Sequence, residues 1–119
     1  QQNQPKGKLG ETIAALYLRK KGYRIIYRNF FARAGEIDLI CLFKKALIFV
    51  EVKTRWTNQY GSAKEAITPW KINSLIKTSE YFKLLNPDLP SEMQIDVVAI
   101  HLDGQNKLTT LEHIQNITS

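Results

Sequence analysis

The order of apolar runs in this 119-residue chain predicts an α/β fold, with a central mixed β-sheet flanked by helices. Three observations carry that prediction. Residues 35–55, GEIDLICLFKKALIFVEVKTR, hold two runs rich in Ile, Leu, Phe and Val around Lys44-Lys45, the pattern of a β-hairpin. Residues 8–21 and 69–85 repeat apolar side chains at helical spacing. The second helix separates the third strand from the fourth, which allows a right-handed crossover and sets the fourth strand parallel to a neighbour.

The elements follow in order. Residues 1–6 are polar, contain Pro5 and predict a flexible tail, leaving 7–119 as a single domain. Helix one spans 8–21, with Leu9, Ile13, Leu16 and Tyr17 on one stripe and Gly22 as the C-terminal stop. Glu11 points near Ala14, Ala15 and Leu18, so it borders the apolar arc; these small side chains would let the helix lie close to a sheet. A glutamate near a helix start also suits the helix dipole with no further role.

Strand one is 23–30, where Arg24, Ile26 and Arg28 alternate with Tyr23, Ile25 and Tyr27; its basic face predicts an edge or partly exposed strand. A short connection carrying Arg33 leads to the hairpin. Residues 56–62, WTNQYGS, read as a loop beside the charged strand ends, and 64–67 as a turn or short helix. Thr68-Pro69 is an N-cap followed by proline at the first helical position, opening a helix that runs to about residue 85. Lys71, Lys77 and Lys83 line its solvated face, with Lys71 near enough to the helix start to reach a phosphate. Residues 86–90 end that helix, 93–102 form strand four, Asp103-Gly104 begins a turn, and 107–114 add a C-terminal strand.

Composition narrows the function. No apolar run approaches the roughly 18 residues that span a membrane, and no apolar segment follows the polar start, which predicts a cytoplasmic protein. Cys41 falls at an apolar strand position and predicts a buried structural thiol. Two histidines without a cysteine cluster argue against structural zinc. Residues 1–60 carry twelve Lys or Arg against four acids, Glu11, Glu36, Asp38 and Glu51, whereas 61–119 carry five against seven. A basic half enclosing a few acids suits a polyanion that meets a cation-binding pocket.

The hairpin concentrates those acids. A two-residue loop at Lys44-Lys45, or a four-residue loop over 43–46, pairs Phe43 with Ala46 and Leu42 with Leu47. That register sets Asp38 opposite Glu51 and Glu36 opposite Lys53. Opposed carboxylates about 5 Å apart repel by roughly 3 kcal/mol at an effective dielectric near 20. Lys53 supplies one compensating charge, and a divalent cation such as Mg²⁺ or Mn²⁺ would complete the balance with hard oxygen ligands. A surface salt-bridge ladder is the plainer alternative. Both runs are apolar on their other face as well, which predicts central strands, where clustered charge requires a reason.

Asp38 followed by Glu51-Val52-Lys53 resembles the PD-(D/E)xK nuclease superfamily, whose core is commonly αβββαβ. More narrowly, GE at 10–11, RN at 28–29, GEIDLI at 35–40, FVEVKTR at 49–55 and YG at 60–61 resemble the YraN-like family of predicted endonucleases, which is distantly similar to archaeal Holliday-junction resolvases. The resemblance implies a restriction-endonuclease-like core. It assigns metal binding to Asp38 and Glu51, with Glu11 as an auxiliary ligand, and makes Lys53 the residue that orients or activates water and stabilises charge on the phosphate. Glu36 lies in the motif with an open role, and Ile37 stands where the superfamily's name has proline. Arg24, Arg28, Arg33, Arg55 and Lys71 are the candidate nucleic-acid contacts.

The expected function is a Mg²⁺- or Mn²⁺-dependent endonuclease acting on DNA, including branched or junction DNA, with a homodimer implied by analogy to the resolvases. A nucleic-acid-binding module without catalysis, and an accessory protein in DNA processing, are the competing readings.

Overall fold

The computed structural model describes residues 6–56 and 67–118. Its elements are α1 (Lys6–Lys20), β1 (Arg24–Ala32), β2 (Gly35–Phe43), β3 (Ala46–Trp56), α2 (Pro69–Leu85), β4 (Met93–Leu102) and β5 (Leu108–Ile114). They form one five-stranded sheet ordered β1-β2-β3-β4-β5, antiparallel except for the β3–β4 pair. The fold is the expected restriction-endonuclease-like α/β arrangement, a mixed sheet with an added C-terminal strand. The parallel pair is the one that α2 connects, as a crossover requires. Residues 57–62 and 64–66, read above as a loop and as part of a turn or short helix, lie outside the described residues.

Alternation along β2 and β3 builds two cores. Leu39, Cys41, Ile48 and Val50 face α1 and pack with Ala14, Ala15 and Leu18. Ile40, Leu47 and Phe49 face α2 and pack with Leu75 and Phe82. The central strands are therefore covered on both faces, and β1 lies at the sheet edge with Arg24 and Arg28 exposed. Cys41 is fully buried, and burial pushes its thiol up to about 12, consistent with an inert structural role. Among the described residues, no helix is long and apolar enough to cross a membrane.

The helix ends explain why the helices stop where they do. Tyr23 N–H donates to Leu18 O and Gly22 N–H to Arg19 O, a Schellman closure made possible by the left-handed φ of 97° at Gly22. Thr68 Oγ1 accepts from Lys71 N–H at 3.1 Å, capping α2 as its sequence predicts. Lys83 reaches Pro87 O at 2.8 Å beyond the last turn through a hydrogen bond that is itself exposed.

The hairpin turn resolves the two loop lengths that sequence left open. Phe43 pairs with Ala46, so the loop is Lys44-Lys45 alone, and both residues adopt positive φ, 54° and 84°. Side chains with a Cβ cost about 1 kcal/mol each in that region, where Asn-Gly is favoured. Replacing Lys44-Lys45 by Asn-Gly is expected to stabilise the protein by about 1 kcal/mol, read as a higher midpoint in urea denaturation at an unchanged slope. A lower midpoint would mean that the lysine side chains matter more than the strain.

Candidate active site

The two central strands separate where the acids begin. The last ladder pair is Leu39↔Val50, so the predicted facing of Asp38 and Glu51 follows the register but is not a ladder pair. Asp38 Oδ2 instead accepts the Val52 N–H at 2.8 Å, taking the place of a strand carbonyl. Alternation also slips here. Ile37 packs on the α2 side, whereas Leu39, two residues on, packs on the α1 side. On β1, Phe30 pairs with Ile37 and Arg28 with Leu39, leaving Asn29 facing Asp38 with a φ of 53°. This local twist turns Asp38 out of the regular sheet and toward α1.

Helix α1 comes close enough to complete a cluster. A Cβ at Gly10 would overlap Thr54 Oγ1 unless that side chain shifted, so glycine favours this close approach of helix to β3. Glu11, Glu36 and Asp38 then place one carboxylate oxygen each within 4.8 Å of one another. Asn29 Nδ2 donates to Glu11 Oε1 at 3.0 Å, and Lys8 Nζ reaches both Asn29 Oδ1 and, at 3.5 Å, Glu11 Oε1. Asn29 and Lys8 therefore position the helix glutamate. Asparagine in the middle of a strand was the available signal, since its strand propensity is poor.

Glu51 is arranged differently. It is 5% exposed and lies outside the three-carboxylate group, with its Oε2 3.6 Å from Lys71 Nζ and 3.9 Å from Lys53 Nζ. Glu36 was expected opposite Lys53, but its cross-strand partner is Phe31, because β2 has already parted from β3 at that point. Lys53 pairs with Glu51 on its own strand. Lys71, read as solvated or phosphate-directed, is half-buried and holds Glu51 as well.

All four acids, with Lys53, Trp56 and Lys71, line one cleft of about 500 Å³. Burial pushes the Asp38 carboxyl up, Glu51, Glu11 and Glu36 push it further, and the Val52 hydrogen bond only partly opposes them, leaving it at about 7. Glu51 is also raised by burial, but Lys71 and Lys53 counter that effect. The donor set is oxygen only, crowded and short of positive charge around Asp38, which fits a hard divalent cation.

The basic candidates divide by position. Arg28 adjoins Asn29, and Arg33 sits in the β1–β2 turn beside the Glu36 end; both are exposed. Arg55 is half-buried two residues beyond Lys53. Arg24 pairs with Leu42, four residues from Asp38, or roughly 13 Å along the strand, so it lies outside the cleft.

A second polar group went unread in the sequence. Asp96 is fully buried in β4 and accepts from His113 Nε2 at 2.8 Å, Tyr23 OH at 3.1 Å, Gln94 Nε2 at 2.9 Å and Asn116 N–H at 3.0 Å. Tyr17 OH lies 3.0 Å from His113 Nδ1. The network ties α1, the start of β1, β4 and β5 together. An aspartate inside the apolar run IDVVAI was its signal in the sequence.

Comparison with known proteins agrees with the resemblance to YraN-like proteins. The model of the family described as "Uncharacterised protein family UPF0102" matches residues 10–100. A "UPF0102 protein" of Syntrophomonas wolfei is 45% identical over 115 residues, covering 96% of this chain and 97% of that protein. Proteins of the same description from Clostridium botulinum (38%, covering 96% and 94%) and Mycolicibacterium vanbaalenii (34%, covering 93% and 91%) are similar over nearly their whole length. The matched span contains most of α1, all of α2 and every acid of the cleft, and on these grounds the chain belongs to the UPF0102 family.

Proposed function

We propose that this protein is a divalent-metal-dependent endonuclease that hydrolyses phosphodiester bonds in DNA. The observation that carries this reading is the convergence of Glu11, Glu36 and Asp38 within 4.8 Å in the cleft that also holds Lys53. These carboxylates would hold Mg²⁺ or Mn²⁺, with Glu51 beside them. When bound, the ion supplies Lewis-acid polarisation of the phosphoryl oxygen and activates water.

The remaining roles belong to side chains. Lys53, held by Glu51 at 3.9 Å, directs an ammonium at the cleft, where it stabilises charge that builds on the phosphate and orients the attacking water. Val52 N–H fixes the Asp38 carboxylate by donating to its Oδ2 at 2.8 Å. Arg28 and Arg33 lie where they can meet flanking phosphates, so binding should weaken steeply with salt.

A cleavage panel of linear, flapped and four-way DNA with Mg²⁺ or Mn²⁺ tests the proposal. Wild-type protein is expected to cut at least one substrate, and Asp38→Ala, Glu51→Ala and Lys53→Ala to lower the rate at least about a hundredfold while keeping the native circular dichroism. Full activity in Asp38→Ala protein would sink the mechanism. One observation favours a second reading, a nucleic-acid-binding module without catalysis: Glu51 is neutralised by two lysines outside the three-carboxylate group. Salt-sensitive binding with no cleavage of any substrate would select it.

A further inference from the structure

Two large, solvent-exposed aromatic side chains stand next to residues that line the acidic cleft. Phe31 is 69% exposed and is the cross-strand partner of Glu36, so the two share one face of the β1–β2 pair about 5 Å apart. Trp70 is 76% exposed and immediately precedes Lys71, whose Nζ is 3.6 Å from Glu51. Neither position is loose. Phe31 lies in a paired strand, and Trp70 lies in the first turn of α2, pinned by Pro69 and the Thr68 cap. Exposed aromatics on rigid backbone beside an acid-lined cleft, with the exposed Arg28 and Arg33 nearby, have the composition of a base-stacking platform.

Duplex bases are stacked on one another and do not offer their faces to side chains, whereas an unpaired strand does. We infer that the cleft takes single-stranded DNA, whose bases stack on Phe31 and Trp70 and so bring a phosphodiester over the carboxylates; this rests on the nuclease reading of the same cleft. Arg33, exposed in the turn two residues beyond Phe31, lies beside the path of the strand.

The test is fluorescence anisotropy at low salt in EDTA, with a labelled oligothymidine and a duplex of equal length as probes. Wild-type protein is expected to bind the oligothymidine more tightly. Phe31→Ala and Trp70→Ala should each weaken that binding at least about fivefold and move duplex binding by less than about twofold, with Trp70→Phe and Phe31→Trp restoring most of the loss. Both side chains are exposed, so the variants should keep the wild-type melting temperature. Equal or tighter duplex binding by the wild type, or alanine variants that hold the oligothymidine as before, would overturn the inference. Because binding is read without metal, stacking-dependent binding by a protein that never cleaves keeps this inference and removes the nuclease. Metal-dependent cleavage that both alanine variants retain in full keeps the nuclease and removes the stacking.

Discussion

Asp38→Asn protein is expected to melt above the wild type in EDTA near pH 8, by an amount that corresponds to about 2–4 kcal/mol, and to have lost cleavage. The carboxyl is raised from 3.8 to about 7 in the folded state, first by burial and then by Glu51, Glu11 and Glu36. Between those values the folded protein holds a proton that the unfolded chain has released. The contribution of Asp38 to stability is therefore fully present below about pH 4, declines as pH rises through that window, and is gone above about 7. Asparagine carries no charge to bury and still offers an oxygen to Val52 N–H.

The gain in Asp38→Asn should accordingly shrink toward zero at about pH 4, as thermal melts across the range would show. Added Mg²⁺ or Mn²⁺ should stabilise the wild type and act far less on the variant, because a cation that binds only the folded state raises its stability in proportion to occupancy. A variant less stable than wild type at every pH would mean that the Asp38 carboxylate is satisfied by the protein alone.

Asp96→Ala is expected to cost about 3–5 kcal/mol, read by urea denaturation at neutral pH. Burial pushes the Asp96 carboxyl up, yet the hydrogen bonds from His113, Asn116 N–H and Gln94 outweigh it and hold the group below its ordinary value. Removing the carboxylate leaves these donors, and the Tyr23 hydroxyl, without their acceptor at a position that is itself fully buried. The sign of the pH effect is opposite to that at Asp38. Asp96 contributes stability above the unfolded value near 3.8, and that stability is lost as pH falls through the lower folded value. A loss below about 1 kcal/mol in Asp96→Ala would show that the network relaxes around water instead.

The two aspartates illustrate how position decides the role of a residue type. Both stand in apolar strands, and both are desolvated. Asp96 meets donors and becomes a structural staple. Asp38 meets three other carboxylates, two of which form with it a group that could hold a cation.

Much of this protein follows from its sequence alone. The helices, the five strands and the hairpin register are set by local pattern: side-chain periods of two and 3.6, Gly22 at a left-handed cap, and Thr68-Pro69 at a helix start. The identity of the cleft acids is equally local, because Glu11, Glu36, Asp38 and Glu51 are all the acids of a basic half. Which of them meet is not local. Perfect alternation would put Asp38 against Glu51 and Glu36 against Lys53, but the strands part after Leu39↔Val50 and the alternation slips at Asn29 and Asp38. Only the packing of α1 against Thr54 brings Glu11 to Glu36 and Asp38, and only the N-terminal turn of α2 brings Lys71 to Glu51. Spacing along a chain fixes the face of a strand, whereas the partner of a buried charge is chosen by the helices that close over the sheet.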